Sequence, residues 1–378
     1  MDRGAAAARE QRWKRDRIKA WLLRSPSSFR VVEVIRTIDW DGDAVAIIDQ
    51  TLLPREERIL RLREVAELAE AIRSMRVRGA PALGVAGALG VALAVRRAQE
   101  RGHDIRLAAD KAAAELAATR PTAVNLRWGI EKARGAVAAG ADAVVEAAVK
   151  VLEADVQTNR TMAERGTAWL ESMKLADKTR LRVLTHCNTG ALACVEIGTA
   201  LGVIQFAHGR GLVEEVLATE TRPSLQGSRL TAWELKRLKI PFRLVADAAA
   251  PSLIANGAVD VVLVGADRIA ANCDVANKIG TYPLALAARR AGVPFVVVAP
   301  ESTRDPEVAD GSLIPIERRA GDEVVEFAGV RVAPAGSQAL NPAFDVTPSD
   351  LITAIITEER VIEPAARTPA LPDSRCGF

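Results

Sequence analysis

Two side chains that can exchange protons each follow directly on a short apolar run. Cys187 comes after LRVLTH (181–186), and Asp267 comes after VVLVGA (261–266). Apolar runs of this length predict buried strands, and a carboxyl placed just beyond one is partly removed from water. Removal from water raises the pKa of a carboxyl toward the range that is useful for acid–base catalysis. Asp267 is therefore a candidate general acid or base, and Cys187 is a candidate partner.

The segment around Cys187 has the pattern of a strand that runs into a helix. Asn188 and Thr189 are candidates for the N-cap, and Gly190 opens the predicted helix. Free backbone N–H groups at a helix start favour an anion and lower the pKa of a nearby thiol. We therefore expect this join to bind a phosphate or an enolate beside a reactive cysteine.

Each of these residues also has a structural interpretation. Cys187 fits a packed, inert thiol equally well, and a histidine at a strand end, such as His186, is more often structural than catalytic. Asp267 is also suited to an N-cap or to an ion pair with Arg268. Cys194 lies where the predicted helix turns toward the core, so we expect it to be structural.

A second group of residues is suited to phosphate. Arg78 and Gly79 precede a helix whose first turn carries Pro81, and this pattern aims backbone N–H groups and a guanidinium at one place. Asn277 and Lys278 stand before a predicted helix and add two donors, unless they are simply a solvated helix start. Neither a GxGxxG loop nor a Walker loop occurs at a predicted strand–helix junction, which argues against NAD- or ATP-dependent chemistry.

The spacing of apolar residues changes near residue 180. From Glu56 to about Leu170 the spacing is helical, beginning with Leu60, Val65 and Leu68, and two short strands joined at 41–43 precede it. The glycines of 84–90 then lie within a helix, where they allow close packing.

Beyond Lys178, β-branched runs alternate with stretches of helix length, which predicts parallel βαβ units. We therefore expect an α/β protein, with a small, mainly helical N-terminal domain that carries a short β element and a Rossmann-like parallel-sheet C-terminal domain. The carboxyl ends of the strands should converge on one crevice. The expected division is a basic extension (1–31), the helical domain (32–178), the Rossmann-like domain (179–364) and a flexible tail (365–378).

Composition sets limits on the class of protein. The chain has 378 residues, of which 49% are apolar, and its apolar runs are too short for a membrane span. The first 30 residues carry a net charge of +6, whereas the rest of the chain carries −3. We interpret this arm as a solvated extension rather than a nucleic-acid-binding segment, because no groove-reading motif follows it. The arm lacks a signal sequence, and the four cysteines have no CxxC spacing, so we expect a cytoplasmic protein with neither a metal site nor disulfides.

Six stretches together resemble the methylthioribose-1-phosphate isomerase family, whose relatives include the alpha, beta and delta subunits of initiation factor eIF2B. They are RGAPALG (78–84), RPTAVNLRW (120–128), THCNTGALA (185–193), ETRPSLQGSRLTAWEL (220–235), GADRIAANCDVANKIGTY (265–282) and NPAFDVTP (341–348). The resemblance covers about residues 32–364. It implies a helical domain and a Rossmann-like domain, a homodimer formed through the latter, and no cofactor or metal.

The resemblance also assigns roles. It implies that Cys187 and Asp267 are the catalytic pair that converts 5-methylthioribose 1-phosphate into 5-methylthioribulose 1-phosphate in methionine salvage. The residues that it implies hold the substrate are Arg78, Gly79, Ala80, Arg120, Gln226, Asn277 and Lys278. In this chain Cys273 stands where the family usually has glycine, which puts the backbone geometry of that turn in question.

The implied reaction explains why an acid is required. Phosphate on the anomeric oxygen blocks simple ring opening, so the ring oxygen needs a proton donor, and a protonated Asp267 fits this role. The sequence leaves open whether the C2 hydrogen then moves as a hydride or through an enediol, although a dry crevice favours the hydride. Isomerisation of ribose 1,5-bisphosphate or 5-deoxyribose 1-phosphate and a non-catalytic, eIF2B-like regulatory role are the alternatives.

Overall fold

The computed structural model describes residues 35–173 and 179–364. The predicted basic extension (1–31) and tail (365–378) lie outside the described residues. Within them the chain forms a helical N-terminal part and a C-terminal part built on a parallel sheet, which confirms the expected fold class.

The N-terminal part begins with a small antiparallel sheet. Its strands are Ile38–Trp40 (β1), Val45–Ile48 (β2) and Ile59–Leu62 (β3), in the order β1-β2-β3. The hairpin predicted at 41–43 is confirmed, since Asp41 N donates to Ala44 O. The prediction of helix at Leu60 was wrong, because Leu60 pairs with Ile47 of β2. The apolar spacing near Leu60 is compatible with a helix and with a strand, and pairing with β2 selects the strand.

Five helices follow: Val65–Arg73 (α1), Ala80–Glu100 (α2), Ile105–Ala117 (α3), Val124–Arg134 (α4) and Ala141–Ser172 (α5). Helix α2 is central, and most of its residues are buried. The expectation that the apolar runs are too short for a membrane span was wrong for α2, which alone among the described helices is long and apolar enough to cross one; 72% of its most apolar stretch is, however, buried inside the protein. A helix that is buried in this way is typical of the core of a folded domain.

The core of the helical part depends on close contact between α2 and α4. Gly129 on α4 lies against the backbone of Gly84 on α2, and a Cβ at Gly129 would stand 1.8 Å from the carbonyl oxygen of Gly84. The predicted role of the glycines of α2 in close packing is therefore confirmed. The crossing fixes the start of both helices relative to each other.

The C-terminal part contains a seven-stranded sheet. Its strands are Leu181–Thr185 (β4), Val213–Thr219 (β5), Phe242–Val245 (β6), Val261–Val264 (β7), Phe295–Val298 (β10), Ala354–Ile356 (β15) and Val361–Ile362 (β16). Their order is β16-β15-β10-β7-β4-β5-β6, and every pair except β15-β16 is parallel. The chain moves from β4 to β5 on one side and later returns to β7 on the other. The junction of β4 and β7 is thus the place where an open parallel sheet forms a ligand crevice.

Both faces of the central strands β4, β7 and β10 are buried, as their apolar sequences predict. Val183 of β4 packs on one face with the C-terminal half of α5, with Ala200–Gly209 (α6) and with Ala232–Arg237 (α7). Leu184, the next residue, packs on the other face with Ala250–Ala255 (α8) and Thr281–Ala291 (α9). Helix α5 also contributes Val144 to the core of the helical part, so it joins the two cores.

A smaller sheet lies beyond the end of β7. It consists of Arg268–Ala270 (β8), Val275–Lys278 (β9), Arg304–Asp305 (β11) and Phe344–Thr347 (β14), in the order β11-β8-β9-β14. The segment between β11 and β14 carries Asp322–Val325 (α10) and the hairpin of Glu326–Phe327 (β12) and Val330–Arg331 (β13).

We predict that Gly129→Ala destabilises the protein by about 3 kcal/mol or more, because the added methyl cannot fit against the Gly84 backbone without moving a helix. Denaturant unfolding would measure the change. Gly135→Ala is the matched control at the end of the same helix, since Gly135 has φ −58° and a Cβ there meets only an ordinary contact. If the two variants lost equal amounts of unfolding free energy, the close contact between α2 and α4 would be contradicted.

Candidate active site

One cavity, of about 120 Å³, lies at the carboxyl ends of β4 and β7. The starts of α2 and α4 close it on one side, and the segment from Ile314 to Phe344 contributes another wall. All nine predicted site residues line it: Arg78, Gly79, Ala80, Arg120, Cys187, Gln226, Asp267, Asn277 and Lys278. The fold thus brings the predicted residues together around one cavity.

Cys187 is buried and held in an unusual backbone conformation. Its φ is +61°, in the left-handed region that a cysteine rarely adopts. Its N–H donates to Thr221 Oγ1 at 2.9 Å, and its carbonyl oxygen accepts from Thr231 Oγ1 at 2.6 Å. Two hydroxyl groups therefore hold the residue in a conformation that costs free energy, a feature that clusters at functional sites.

The prediction that a helix begins at Gly190 was wrong. Residues Ala191–Ala193 form a single 3-10 turn, and the next helix, α6, begins at Ala200. The turn does not continue because the backbone of Cys194 is extended, with φ −132° and ψ −146°, and the N–H of Val195 donates to Asp155 rather than to a carbonyl oxygen one turn back. Thr189 still acts as a helix cap, but it does so for α6, where its Oγ1 accepts from Leu201 N at 3.2 Å.

The expected lowering of the Cys187 pKa was also wrong. Burial raises the pKa of the thiol above its ordinary value, and the positive charges of Arg78 and Lys278 oppose this only in part. Cys187 is therefore a neutral thiol at neutral pH. Cys194 is fully buried, as expected, although it too borders the cavity, and burial raises its pKa well above the ordinary value.

Asp267 has the environment that the sequence predicted. It directly follows β7, and burial raises the pKa of its carboxyl, with the charges of Lys278 and Arg120 acting in the opposite direction. The alternative, an ion pair with Arg268, is not formed, since Arg268 bonds to Thr122 O and pairs with Asp305. A carboxyl of raised pKa beside a thiol is suited to proton transfer.

His186 is structural. Its Nε2 lies 2.8 Å from the carbonyl oxygen of Ile279, which can only accept, so Nε2 carries the proton. Its Nδ1 lies 2.7 Å from Thr219 Oγ1 and accepts from that hydroxyl. Burial lowers the pKa of His186, which keeps the ring neutral. The histidine ties the end of β4 to the segment before α9.

Arg78 and the start of α2 form the anion-binding side of the cavity. Gly79 is the N-cap of α2 with φ +96°, and a Cβ there would lie 2.4 Å from the Ala193 carbonyl oxygen. Arg78 is nine-tenths buried, and its guanidinium donates to the carbonyl oxygen and to the Oδ1 of Asn188. The predicted convergence of a guanidinium and a helix start is present.

Asn277 and Lys278 lie at the end of β9. The prediction that they start a helix was wrong, because pairing of β9 with β8 and β14 holds the backbone in an extended conformation. Lys278 Nζ stands 4.8 Å from the centre of the Phe344 ring. Asn277 Nδ2 donates to Thr281 Oγ1 at 3.0 Å, which links it to the first turn of α9.

Only part of the positive charge around the cavity is neutralised. Arg120 pairs with Glu317 at 2.9 Å, and Arg319 pairs with Glu323. Within the ranges that the structure describes, Arg78 and Lys278 have no carboxylate at ion-pair distance. The cavity therefore has a surplus of positive charge that suits one phosphate group.

Several polar atoms in the cavity wall have no partner among the described residues. They are Arg78 Nε, Gln226 Oε1 and Asn125 Oδ1, and all three side chains are buried. Buried polar groups are normally bonded, so these atoms are available to hydrogen-bond a polar ligand or water. Sequence reasoning named Asn188 only as an N-cap candidate and missed Asn125 and Glu234. The contacts of these residues join distant segments, and no local pattern predicts them.

A sequence profile of the Initiation factor 2 subunit family matches residues 76–364. The chain therefore belongs to this family. Two similar curated proteins are named for an isomerase. A methylthioribose-1-phosphate isomerase of Thioalkalivibrio sulfidiphilus is 50% identical over 335 residues, which cover 88% of this chain and 94% of the relative. A probable bifunctional methylthioribose-1-phosphate isomerase/methylthioribulose-1-phosphate dehydratase of Nocardia farcinica is 51% identical over 88% of this chain, and this chain spans 61% of its length.

Two solved structures resemble the whole fold. The 5-methylthioribose 1-phosphate isomerase of Pyrococcus horikoshii OT3 has a TM-score of 0.79 and 40% identity, covering 88% of this chain and 94% of that one. A protein named translation initiation factor eIF-2B, subunit delta, from A. fulgidus has a TM-score of 0.76 and 43% identity, covering 88% of this chain and 96% of that one.

Cys273 occupies the turn between β8 and β9 with φ +70°, so the position does require the backbone angle that glycine adopts easily. We predict that Cys273→Gly changes the free energy of unfolding by less than about 1 kcal/mol, because relief of the left-handed strain offsets the added flexibility of the unfolded chain. Turnover should stay within about threefold of the parent, since Cys273 lies outside the cavity wall.

Cys273→Val is the matched comparison, because a β-branched residue is most strained at positive φ. Thermal melting and steady-state rates would test both variants. A valine variant that is as stable as the glycine variant would show that the turn relaxes to another conformation.

Proposed function

We infer that the protein is an aldose–ketose isomerase that converts 5-methylthioribose 1-phosphate into 5-methylthioribulose 1-phosphate, the isomerisation of methionine salvage. The observation that carries this inference is that one cavity holds a buried carboxyl of raised pKa, a neutral thiol and two cations without a carboxylate partner among the described residues. Relatives of about 50% identity that bear the isomerase name support it.

The phosphate is proposed to bind between Arg78, Lys278 and the start of α2. Arg78 and Lys278 supply positive charge, and the N-terminal amides at Gly79 and Ala80 supply backbone donors. Arg120, Gln226 and Asn277 line the same cavity and are proposed to bind the remaining oxygens of the substrate. Fixing the phosphate in this way would place the sugar ring between Cys187 and Asp267.

Asp267 is proposed to carry one proton through the whole reaction. The protonated carboxyl donates to the ring oxygen while the bond between that oxygen and C1 breaks. The resulting carboxylate accepts the C2 hydroxyl proton as the C2 hydrogen moves to C1 and the C2 carbonyl forms. The substrate is isomerised with no external oxidant or reductant, and Asp267 returns to its protonated form. Burial, which raises its pKa, provides the starting state.

Cys187 is proposed to act as an uncharged, polarisable group beside C1. The raised pKa of its thiol makes it a poor base at neutral pH, but its sulfur can stabilise the positive charge that develops at C1 when the ring opens. Its left-handed backbone, held by Thr221 and Thr231, would keep the sulfur at that position.

The charges of the cavity favour one phosphate over two. Arg120, Arg268 and Arg319 are already paired with carboxylates, which leaves Arg78 and Lys278 for the ligand. Apolar side chains, among them Met75 and Ile314, also line the cavity and could accept a methylthio group. Side-by-side assays with 5-methylthioribose 1-phosphate, 5-deoxyribose 1-phosphate and ribose 1,5-bisphosphate would test the choice. Turnover of the bisphosphate alone, or of none of them, would refute the proposal.

We predict that Asp267→Asn lowers kcat by about 10²- to 10⁴-fold, because the amide keeps the shape of the side chain but carries no transferable acid proton. KM should change by less than about threefold, which would place the loss in the transition state. In the parent, kcat should fall as pH rises through the raised pKa of Asp267, since the protonated form is lost there. The Asn variant should lack this decline.

The two buried cysteines provide the control for the same assay. Cys187→Ala should lower kcat strongly, whereas Cys194→Ala should mainly lower the melting temperature, since Cys194 is fully enclosed. If Asp267→Asn and Cys187→Ala both retained turnover within about threefold of the parent, the catalytic assignment would be wrong.

We also propose that the protein is a cytoplasmic homodimer that pairs through its C-terminal part. Exposed apolar side chains there, Leu244 on the edge strand β6 and Tyr282 and Leu286 on α9, support the pairing. The described cysteines are free thiols, which is consistent with a reducing compartment.

We predict that light scattering at micromolar concentration gives twice the 40.4 kDa chain mass, and that Leu286→Glu shifts the mass to that of one chain. Leu107→Glu is the matched control, because Leu107 is exposed on α3 in the helical part and should not affect pairing. A parent mass of one chain would refute the homodimer.

A further inference from the structure

Glu234 on α7 is a carboxylate in the interior that the proposed reaction does not use. It is 1% exposed, and it accepts three hydrogen bonds. Oε1 accepts from Asn188 Nδ2 at 2.7 Å and from Leu192 N at 3.3 Å, while Oε2 accepts from Ala191 N at 2.7 Å. Both of its oxygens accept from a backbone N–H, which can only donate, and this favours the ionised form although burial raises the pKa of Glu234. An ionised carboxylate only accepts, so the Asn188 amide must face it with a donor.

This requirement determines how the Asn188 amide is oriented. Its Nδ2 donates to Glu234 and also lies 3.2 Å from Thr231 Oγ1. The single hydroxyl proton of Thr231 goes to the carbonyl oxygen of Cys187, so Thr231 must accept from Asn188. With both Nδ2 protons used, Oδ1 of Asn188 can only face the remaining neighbour, the guanidinium of Arg78.

Asn188 in turn selects which edge of Arg78 is available. Nη1 and Nη2 of Arg78 donate to the carbonyl oxygen and Oδ1 of Asn188, which uses the edge formed by the two terminal nitrogens. Nε is buried and has no partner among the described residues. Nε and the second proton of Nη2 form the other edge of the guanidinium, which can bind two phosphate oxygens in parallel.

We propose that Glu234 is a positioning residue: acting through Asn188, it holds Arg78 so that the edge containing Nε faces the phosphate of the substrate. The inference rests on the proposed function only in taking phosphate as the ligand of Arg78. The same network reaches Cys187 through Thr231, so one buried carboxylate sets the geometry of both the phosphate site and the thiol.

The test is a double-mutant cycle with inorganic phosphate as the probe, measured by titration calorimetry on the full chain. Glu234→Gln keeps the size of the side chain but turns one acceptor into a donor, which favours rotation of the Asn188 amide and places Nδ2 against Arg78. We expect the Kd for phosphate to rise about tenfold. In an Arg78→Lys background, where no planar edge exists to be oriented, the same substitution should change Kd by less than about twofold.

Asn188→Ala provides a second route that leaves the bonds of Glu234 to Ala191 and Leu192 in place. Asn188→Ala should raise the Kd for phosphate by a similar factor, and the increase should again disappear in the Arg78→Lys background. This variant tests the orientation of Arg78 if Glu234→Gln fails to fold. Asp274→Asn is the matched control, because Asp274 also accepts from three N–H donors, those of Asn272, Gly311 and Ser349, but lies outside the cavity wall. Its Kd for phosphate should stay within about twofold of the parent.

If Glu234→Gln raised the Kd for phosphate equally in the parent and in the Arg78→Lys background, the proposal would be overturned, because Glu234 would then act on the fold in general. Failure of the parent to bind phosphate would overturn it as well. If the cycle behaves as expected but the parent does not turn over 5-methylthioribose 1-phosphate, the positioning role stands and the proposed function fails.

Discussion

The buried guanidinium of Arg78 is the constraint on which the site depends. Arg78 belongs to the helical part, and it reaches Asn188 in the loop after β4 of the sheet part. A cation placed in the interior must be compensated there, and the compensation comes from Glu234 through the Asn188 amide rather than by direct contact. The two parts of the chain are therefore joined by a polar network as well as by the apolar core that α5 shares between them.

Exclusion of water from this junction explains the proton states of the other groups. Burial raises the pKa values of Asp267, Cys187 and Glu234, and it lowers that of His186. One cause thus favours a protonated Asp267, a neutral thiol and a neutral imidazole at the same edge of the sheet, whereas three N–H donors favour the ionised form of Glu234. The positive charges of Lys278, Arg120 and Arg78 act against this rise in the pKa of Asp267.

Some features of the site could be predicted from local sequence, and others could not. Asp267 and Cys187 were found because a strand buried on both faces is a continuous apolar run, and its end must lie at the edge of the sheet. The helix at Gly190 and the helical start at Lys278 were predicted wrongly. At both positions the partners of the backbone, Asp155 for the first and β14 for the second, come from distant segments. Glu234 gives no local signal either, since an acidic residue in a short helix is usually exposed.

Similarity of fold does not by itself decide what this chain does. A structure named for the isomerase and one named for a translation initiation factor subunit match it with nearly equal TM-scores and identities. The two-part architecture accounts for the crevice between β4 and β7, whereas the chemistry depends on which side chains line that crevice. In this chain the crevice holds Asp267, Cys187 and the guanidinium of Arg78, whose Nε has no partner among the described residues, and all three groups are buried. Buried polar groups without partners around a cavity cost free energy that a polar ligand recovers, and this favours a ligand-binding site over a surface that only contacts other proteins.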